Sequence, residues 1–466
     1  MSNGKKFLSG ITILLLTCWP RGSRAAAQAD AIPRVPADPQ IAAALRNVSA
    51  QGIQQTVEKL VSFQTRHTLS SDVPASTGKG INAAAEWIKS EFESYSKACG
   101  GCLEVKTDEF TQEPGNRVPK PTKLTNVYAI LRGSDPANAS RIVLVTGHYD
   151  SRNSETNDAV GASPGANDDG SGTAVSLECA RVLSKYKFPA TIIFLTVAGE
   201  EQGLYGSAHF AKMAKTQGWN IEAVLNNDIV GGDQTPGDTK QDPHTVRVFS
   251  EGIPLNASES ELKLIRSVGG ENDGASRQLA RYIASVSKEY LPAEEFRPMV
   301  VFRRDRYLRG GDHTSFNEQG FAAVRFTEFR ENYNHQHQNV RTENGVEYGD
   351  LTKFVDYGYV AQVARLNAVT LASLASAPAP PAKVRILTKA LQNDSTLVWE
   401  ASPGRSATGY LVLWRDTGAP DWEHAQTFGN VLQATMPVSK DNVIFAVQAS
   451  DAKGHRSLPV VPVPER

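Results

Sequence analysis

The chain has 466 residues, with 49 Lys plus Arg against 50 Asp plus Glu and a formal net charge of −1. This length exceeds that of a typical single domain, so two or more domains are expected. The near-neutral charge balance excludes the basic electrostatic signature of a nucleic-acid-binding protein, and we expect no nucleic-acid partner.

Residues 1–29 have the pattern of a signal peptide. Lys5 and Lys6 make the start positively charged, and the apolar run 7–19 is too short to span a bilayer as a mature helix. Small residues at 25–27 and 27–29 offer two cleavage sites. We therefore expect a secreted or periplasmic protein with no stable membrane insertion.

The cysteines agree with export. Cys99 and Cys102 form a CxxC pair, and no second CxxC exists in the sequence to complete a structural zinc site. A short-loop disulfide is the expected state in an oxidising compartment. Cys179 lies in an apolar helical segment and is expected to be a buried free thiol.

Residues 30–374 are expected to form one α/β domain. Helical spacing of apolar residues predicts helices over 53–61 and 80–96, and strands are predicted over 107–110 and 124–131. Strand and helix then alternate up to a long helix over 354–374. This alternation predicts a layered fold with a mostly parallel central sheet flanked by helices.

The C-terminal part has a different pattern. Residues 375–382 (ASAPAPPA) are typical of a semi-rigid spacer. Short strand-like runs at 384–387, 395–400, 409–415 and 443–450 predict a small all-β sandwich over 383–466, with Trp399 and Tyr410 in its core. Its sequence resembles a fibronectin type III module, which implies a spacer or surface-binding unit without chemistry of its own.

Ligand-type side chains follow the ends of the apolar runs in the α/β part. In chain order they are His148 and Asp150, Asp168 in the loop 165–172, Glu200 and Glu201, Asp228, and a late His at 335 or 337. The carboxyl ends of parallel strands meet at one edge of a sheet, where open α/β sheets build active sites. Imidazole and carboxylate ligands in this number suit a pair of zinc ions.

These segments resemble a known family. The pieces GHYDS (147–151), GANDDGSG (165–172), GEEQGLYGS (199–207), NND (226–228), GGDHTSF (310–316) and NHQHQ (334–338) are similar to those of secreted bacterial dizinc aminopeptidases of metallopeptidase clan MH, which are leucyl aminopeptidase-like. The resemblance covers about 56–374. It implies a zinc exopeptidase-like fold, two zinc ions per chain, and peptide substrates with a free N-terminus.

The resemblance also implies roles for single residues. His148 and Asp228 are ligands of the first zinc, Asp168 bridges the two ions, Glu201 is a ligand of the second, Glu200 is the general base, and Asp150 holds His148 in its ligating tautomer. His335 is the preferred last ligand, because Asn339 then falls where the family has Asp, and His337 is the alternative. Asn334 stands where the family often has Tyr, which leaves open the group that polarises the substrate carbonyl.

The implied reaction is hydrolysis of the N-terminal peptide bond by a water bridged by two zinc ions, with Glu200 moving the proton. Two alternatives remain at this point. One is another reaction on the same scaffold, such as carboxypeptidase, dipeptidase or glutaminyl cyclase activity. The other is a binding protein with an inactive metal site.

Several further polar residues are expected to support the site. Asp169 is expected to pair with loop amides or cap the following helix, and Asp312 and His313 are expected to fix loops. The arginine cluster at 303–309 is expected to be a solvated loop, with the hypothesis that Arg306 or Arg309 faces the cleft and positions substrate.

Overall fold

The computed structural model describes Met1 and residues 31–404 and 407–466. Apart from Met1, the predicted signal peptide lies outside the described residues. Within these ranges, no helix combines the length and the hydropathy that a membrane span requires.

An eight-stranded mixed sheet forms the centre of the larger domain, in the order β1-β2-β4-β3-β5-β8-β6-β7. Its strands are β1 Leu103–Gln112, β2 Thr122–Leu131, β3 Arg141–His148, β4 Thr191–Val197, β5 Asn220–Asn227, β6 Thr245–Ser250, β7 Arg297–Val301 and β8 Ala323–Glu328. The four central strands, β4, β3, β5 and β8, run parallel to one another. Their carboxyl ends therefore share one edge of the sheet.

Helices cover both faces of this sheet. They are α1 Pro39–Leu45, α2 Ala50–Ser62, α3 Gly80–Ala98, α4 Gly170–Leu183, α5 Glu200–Gly203, α6 Tyr205–Thr216, α7 Glu259–Val268, α8 Ala275–Tyr290, α9 Asp312–Glu318 and α10 Tyr357–Ser376. Short 3-10 helices lie at Thr68–Asp72, Ala75–Thr77 and Thr352–Phe354.

The sheet separates two hydrophobic cores because successive strand residues point to opposite faces. On β3, Val143 and Val145 belong to the larger core with α2, α3, α4, α8 and α10. Ile142 and Leu144 belong to the smaller core with α6 and α9. The predicted α/β layered fold with a mostly parallel central sheet is confirmed.

The C-terminal part is a β-sandwich of two sheets, ordered β15-β12-β11-β17 and β14-β13-β16. Its strands are β11 Ala382–Leu387, β12 Ser395–Glu400, β13 Gly409–Asp416, β14 His424–Phe428, β15 Gln433–Met436, β16 Val443–Ser450 and β17 Val463–Glu465, while β9 Arg341–Glu343 and β10 Val346–Tyr348 form a separate hairpin. Trp399 and Tyr410 lie in the core of the sandwich, as predicted, and their ring centroids are 5.4 Å apart.

The segment expected to be a spacer is packed against the larger domain instead. Ala377 and Ala379 are buried, and the Ala377 carbonyl accepts a hydrogen bond of 2.7 Å from Arg141. The sandwich is also tied to the larger domain, because Arg415 donates two hydrogen bonds of 2.8 and 2.9 Å to the Asp273 carboxylate. This ion pair joins the sandwich to the larger domain.

The cysteine predictions are confirmed. Cys99 and Cys102 form a disulfide, with their Cα atoms 5.7 Å apart. Cys179 is a buried free thiol.

Candidate metal centre

The site lies at the carboxyl edge of the four central strands. His148 is the last residue of β3, Asp228 follows directly on β5, and Glu200 and Glu201 open the short helix α5 after β4. Because β4, β3 and β5 are neighbours in the sheet, these four side chains converge.

The first group of potential ligands consists of His148, Glu200 and Asp228, whose ligand atoms lie within 4.8 Å of one another. His148 Nε2 is 3.9 Å from Asp228 Oδ1 and 4.0 Å from Glu200 Oε2. This nitrogen is buried and has no hydrogen-bond partner. It is 3.2 Å from a further carboxylate oxygen, Oδ1 of Asp168.

The second group consists of Asp168, Glu201 and His337. His337 Nε2 lies 2.8 Å from Asp168 Oδ2 and 3.0 Å from Glu201 Oε2. The other oxygen of Glu201, Oε1, is buried without a hydrogen-bond partner.

Asp168 therefore lies between the two groups, with one oxygen toward each. Its backbone is fixed by Asp350, whose carboxylate accepts hydrogen bonds of 2.7 Å from the N–H groups of Asn167 and Asp168. Burial raises the pKa of Asp168, but His337 and His148 have the larger effect together and hold it well below its usual value. An ionised carboxylate with one oxygen on each side is suited to bridging two cations.

The preference for His335 as the last ligand is corrected by this geometry. His335 Nδ1 is hydrogen-bonded to Asp233, and its ring stacks on Phe354 with the centroids 3.6 Å apart. His337 occupies the position beside Asp168 and Glu201 instead. The φ of His337 is 54°, in the left-handed region that few residues other than glycine adopt.

The contacts of Asp150 with His148 differ in part from the expected ones. The Nδ1 atom of His148 donates to the main-chain carbonyl of Asp150 at 3.1 Å, whereas the Asp150 carboxylate is 3.5 Å away. That carboxylate accepts hydrogen bonds of 3.2 Å from the N–H groups of both Glu200 and Glu201. Asp150 thus leaves His148 Nε2 free to ligate and also fixes the start of α5.

Two of the three predicted supporting residues, Asp169 and His313, hold the loops around the site. Asp169 caps α4 by accepting from Gly172 N–H at 2.9 Å, and it also accepts from the His148 N–H at 3.0 Å, as expected. His313 donates from Nε2 to the Arg304 carbonyl at 3.0 Å, which fixes the arginine loop. Asp312 is fully buried and burial raises its pKa to about 7, but neither of its carboxylate oxygens has a hydrogen-bond partner among the described residues, so the loop contact expected of it is not seen.

Glu200 is placed differently from the other acids. Its side chain is 14% exposed, compared with 3% for Glu201, so it is the carboxylate that a small molecule entering the site can reach. Burial raises the pKa of Glu200 well above its usual value, against the opposing effect of His148. A carboxylate with a raised pKa is a better proton acceptor at neutral pH.

Two arginines near the site were not identified from the sequence. Arg325 is buried in β8 and lies 2.7 Å from Asp228 Oδ1. The guanidinium of Arg152 reaches both Glu201 and His337. Arg325 could have been noticed in the sequence, because a charged residue inside the apolar run 321–326 is unusual unless it has a buried partner. No local pattern of this kind marks Arg152.

The arginine cluster is only partly the solvated loop that was expected. Arg303 and Arg304 are exposed. Arg306, however, is 9% exposed and pairs with Asp305 at 2.9 Å and with Glu331 at 2.7 Å. Glu331 also holds Arg309 at 3.1 Å. Both arginines named in the substrate hypothesis are thus held by acids of the protein itself.

The donor set fits zinc. Each group contains one imidazole nitrogen with carboxylate oxygens, which are ligands that zinc accepts. Buried atoms without hydrogen-bond partners, His148 Nε2 and Glu201 Oε1, face these groups. Buried polar atoms are rarely left without a partner, and a cation held by these groups would supply one for both atoms.

Comparison with known proteins agrees with this chemistry. The sequence model of the family described as "Peptidase family M28" matches residues 126–356 of this chain. A "Probable zinc metalloprotease" of Pyrenophora teres f. teres is 44% identical over 432 residues, which are 92% of this chain and 88% of the relative. The chain belongs to peptidase family M28. It is therefore a zinc-dependent metallopeptidase.

Further relatives extend the comparison. A "Probable zinc metalloprotease" of Pyricularia oryzae is 44% identical over 434 residues, covering 92% of this chain and 85% of the relative. The LapA aminopeptidase of Legionella pneumophila shares the fold, with a TM-score of 0.52 and 23% identity over 75% of this chain and 78% of that chain. The two metalloprotease relatives are fungal, so the bacterial origin suggested by the resemblance is not confirmed.

Proposed function

We propose that this M28 metallopeptidase is a two-zinc aminopeptidase that removes the N-terminal residue from peptides with a free N-terminus. The observation that carries the proposal is the orientation of Asp168. Its Oδ1 lies 3.2 Å from His148 Nε2 and its Oδ2 lies 2.8 Å from His337 Nε2. One carboxylate placed between two ligand groups is what a site for two ions requires.

The residues that would hold the ions follow from the two groups. His148 and Asp228 would hold the first ion, Glu201 and His337 the second, and Asp168 both. When bound, such a pair of ions supplies an activated water and a Lewis acid for the peptide carbonyl.

Glu200 would act on the proton rather than on a metal. Its carboxylate is the member of the first group farthest from His148 Nε2, at 4.0 Å, and it is the most exposed of the clustered acids. It would take a proton from the attacking water and pass it to the leaving nitrogen. Its backbone is held in place by Asp150, so the carboxylate approaches the reacting atoms in one orientation.

The acidic character of the site supports recognition of a free amine. Four carboxylates, from Asp168, Glu200, Glu201 and Asp228, lie together at the strand ends. With two zinc ions bound, a free substrate amine would dock beside one ion and the nearby carboxylates, a position that an acetylated N-terminus cannot take in the same way. The aminopeptidase activity in the printed name of the Legionella structure agrees with this choice.

Export from the cytoplasm is part of the proposal. It is supported by the Cys99–Cys102 disulfide, because disulfides persist in oxidising compartments. The C-terminal β-sandwich, which resembles a fibronectin type III module, would be carried as a fixed part of the enzyme.

The test is zinc content per chain, measured beside hydrolysis of Leu-p-nitroanilide and its N-acetylated form, with and without a chelator. We expect two zincs, chelator-sensitive activity, and no hydrolysis of the acetylated substrate. Asp168→Asn should lose zinc and activity together, while Asp416→Asn, which alters an exposed acid at the end of β13, should lose neither. One zinc per active chain, or equal hydrolysis of both substrates, would contradict the proposal.

A further inference from the structure

The chain carries four acceptor motifs for N-linked glycans, each Asn-X-Ser with a residue other than Pro in the middle. Their asparagines are Asn47, Asn138, Asn256 and Asn393. The proposed reaction uses none of them. A motif this short also occurs by chance, so the sequence alone does not select the asparagines that can be modified. An N-linked glycan is bulky and lies at the surface, so the environment of each side chain decides.

Asn138 cannot carry a glycan in the folded chain, because it is 0% exposed. Its Nδ2 donates to the Asp135 carboxylate at 2.6 Å, and its Oδ1 accepts from Arg141 at 3.2 Å. A Cβ atom built on Gly404, in the sandwich, would lie only 3.1 Å from the same Oδ1. A sugar on Nδ2 would therefore have to displace this part of the sandwich.

The other three asparagines are exposed. Asn47 lies between α1 and α2, where its Nδ2 donates to the Ala43 carbonyl at 2.9 Å. An amide nitrogen has two hydrogens, so this bond leaves one for a sugar to replace. Asn256 lies in the connection from β6 to α7. Asn393 lies in the connection from β11 to β12 of the sandwich, where Leu391 is 98% exposed.

The exposed positions in the larger domain lie away from the metal centre. The Asn47 carbonyl accepts a hydrogen bond of 2.5 Å from Arg181. Arg181 is on the last turn of α4, roughly 17 Å along the helix from Gly170, which follows the metal-site loop. Asn256 follows β6, which runs antiparallel to β8, so it lies at the edge of the sheet where β8 begins. One side of its amide packs there against Gly320.

We infer that the exported enzyme carries N-linked glycans on Asn47, Asn256 and Asn393, while Asn138 stays unmodified. In each transfer, the asparagine Nδ2 forms a bond to the anomeric carbon of an oligosaccharide that is linked to a lipid pyrophosphate. The bond from this carbon to the pyrophosphate oxygen breaks, the lipid pyrophosphate leaves with the bonding electrons, and Nδ2 loses one proton to solvent.

This inference rests on the proposed export, through a eukaryotic secretory pathway such as that of the fungi in which the two metalloprotease relatives occur. It adds a covalent feature that the proposed reaction does not need. Because the two exposed positions in the larger domain lie away from the carboxyl edge of the central strands, glycans there would leave the cleft open to peptides.

The experiment is peptide mapping by mass spectrometry of the full chain secreted by a fungal expression host, before and after treatment with peptide N-glycosidase. This enzyme converts a glycosylated Asn to Asp, and the untreated sample controls for spontaneous deamidation. We expect glycans on the three exposed asparagines and an unmodified peptide around Asn138. Zinc content and kcat/KM for Leu-p-nitroanilide should be the same before and after the glycans are removed.

Single substitutions assign each glycan. Asn47→Gln, Asn256→Gln and Asn393→Gln should each lose one glycan on a denaturing gel. The asparagine is the residue to change, because the serine of a motif can have a structural role, as Ser49 does in capping α2. Asn344→Gln is the matched control, because Asn344 is exposed in the β9–β10 hairpin but has no Ser or Thr two residues later, so the glycan number should not change. The wild-type peptide map decides for any variant that is not secreted.

The outcomes separate this inference from the proposed function. A secreted chain without a glycan at one of the three exposed asparagines overturns the assignment of that position, and a glycan on Asn138 overturns the argument from burial. Neither result affects the two-zinc activity, which is measured on the same sample. A full chain found only in the cytosol overturns the proposed export and this inference together, whereas zinc content and hydrolysis still report on the reaction.

Discussion

Separate substitution of the adjacent residues Glu200 and Glu201 is the most direct test of the mechanism, because one is proposed to be the base and the other a ligand. Replacing Glu200 with Gln keeps the shape of a side chain that borders the first group but removes its ability to take a proton. Glu201 is 3% exposed and lies 3.0 Å from His337 Nε2, as a ligand would. Glu200 is 14% exposed and is no closer than 4.0 Å to His148 Nε2.

The expected magnitude follows from these positions. Loss of a general base costs about 10²–10⁴ in rate, which is roughly 2.7–5.5 kcal/mol in the activation barrier. Glu200→Gln should therefore lower kcat by this factor and still bind two zincs, because no ligand is removed. Glu201→Gln should lower kcat and also weaken the second zinc.

The assay is steady-state hydrolysis of Leu-p-nitroanilide with zinc content measured on the same samples. Burial raises the pKa of Glu200, so the ionised base is lost as the pH falls, and the acid limb of kcat/KM should be absent from the residual activity of Glu200→Gln. If Glu200→Gln kept turnover near wild type, or lost a zinc, Glu200 would not be the base and the separation of base from ligand would be wrong.

Two further predictions concern stability. Arg325→Met leaves the buried Asp228 without its cation, and the urea-unfolding free energy of the metal-depleted protein should fall by about 3–5 kcal/mol, whereas an unchanged value would show that this pair is not coupled to folding. Burial lowers the pKa of His455, but Asp451 and Asp38 outweigh this and raise it, so its stabilising effect is full below its unfolded pKa of about 6.5 and is lost as the pH rises through the folded value. The difference in melting temperature between wild type and His455→Gln should accordingly shrink from mildly acidic to alkaline pH, and a difference independent of pH would refute this account.

The strand-end residues could be predicted because their signals are local. Each buried strand is a continuous apolar run, and the ligand types stand directly after it, as His148 and Glu201 do. The parallel order of the strands then brings those ends together without further information. Strands β6 and β7, at one end of the sheet, carried no equally clear pattern and were not assigned individually.

The groups that support the ligands could not be predicted in this way. Asp350 holds the backbone of Asp168 from 182 residues further along the chain. Arg152 meets His337 across 185 residues. Such pairs depend on how loops pack above the sheet, and a single sequence contains no periodicity that reports this packing.

The choice between His335 and His337 shows where reasoning from sequence spacing ends. The two residues are separated by one position, and both are of the right type to ligate zinc. Their side chains are directed apart by a turn in which His337 adopts a φ of 54° and His335 packs against Phe354 beside Asp233. Counting from the expected Asp position selected His335, whereas the structure places His337 beside Asp168 and Glu201. His335 nevertheless contributes to the site, because Asp233 and the His335 ring fix the turn from which His337 reaches Asp168. Substitution of either histidine should therefore reduce activity, but only that of His337 removes a ligand atom from the second group.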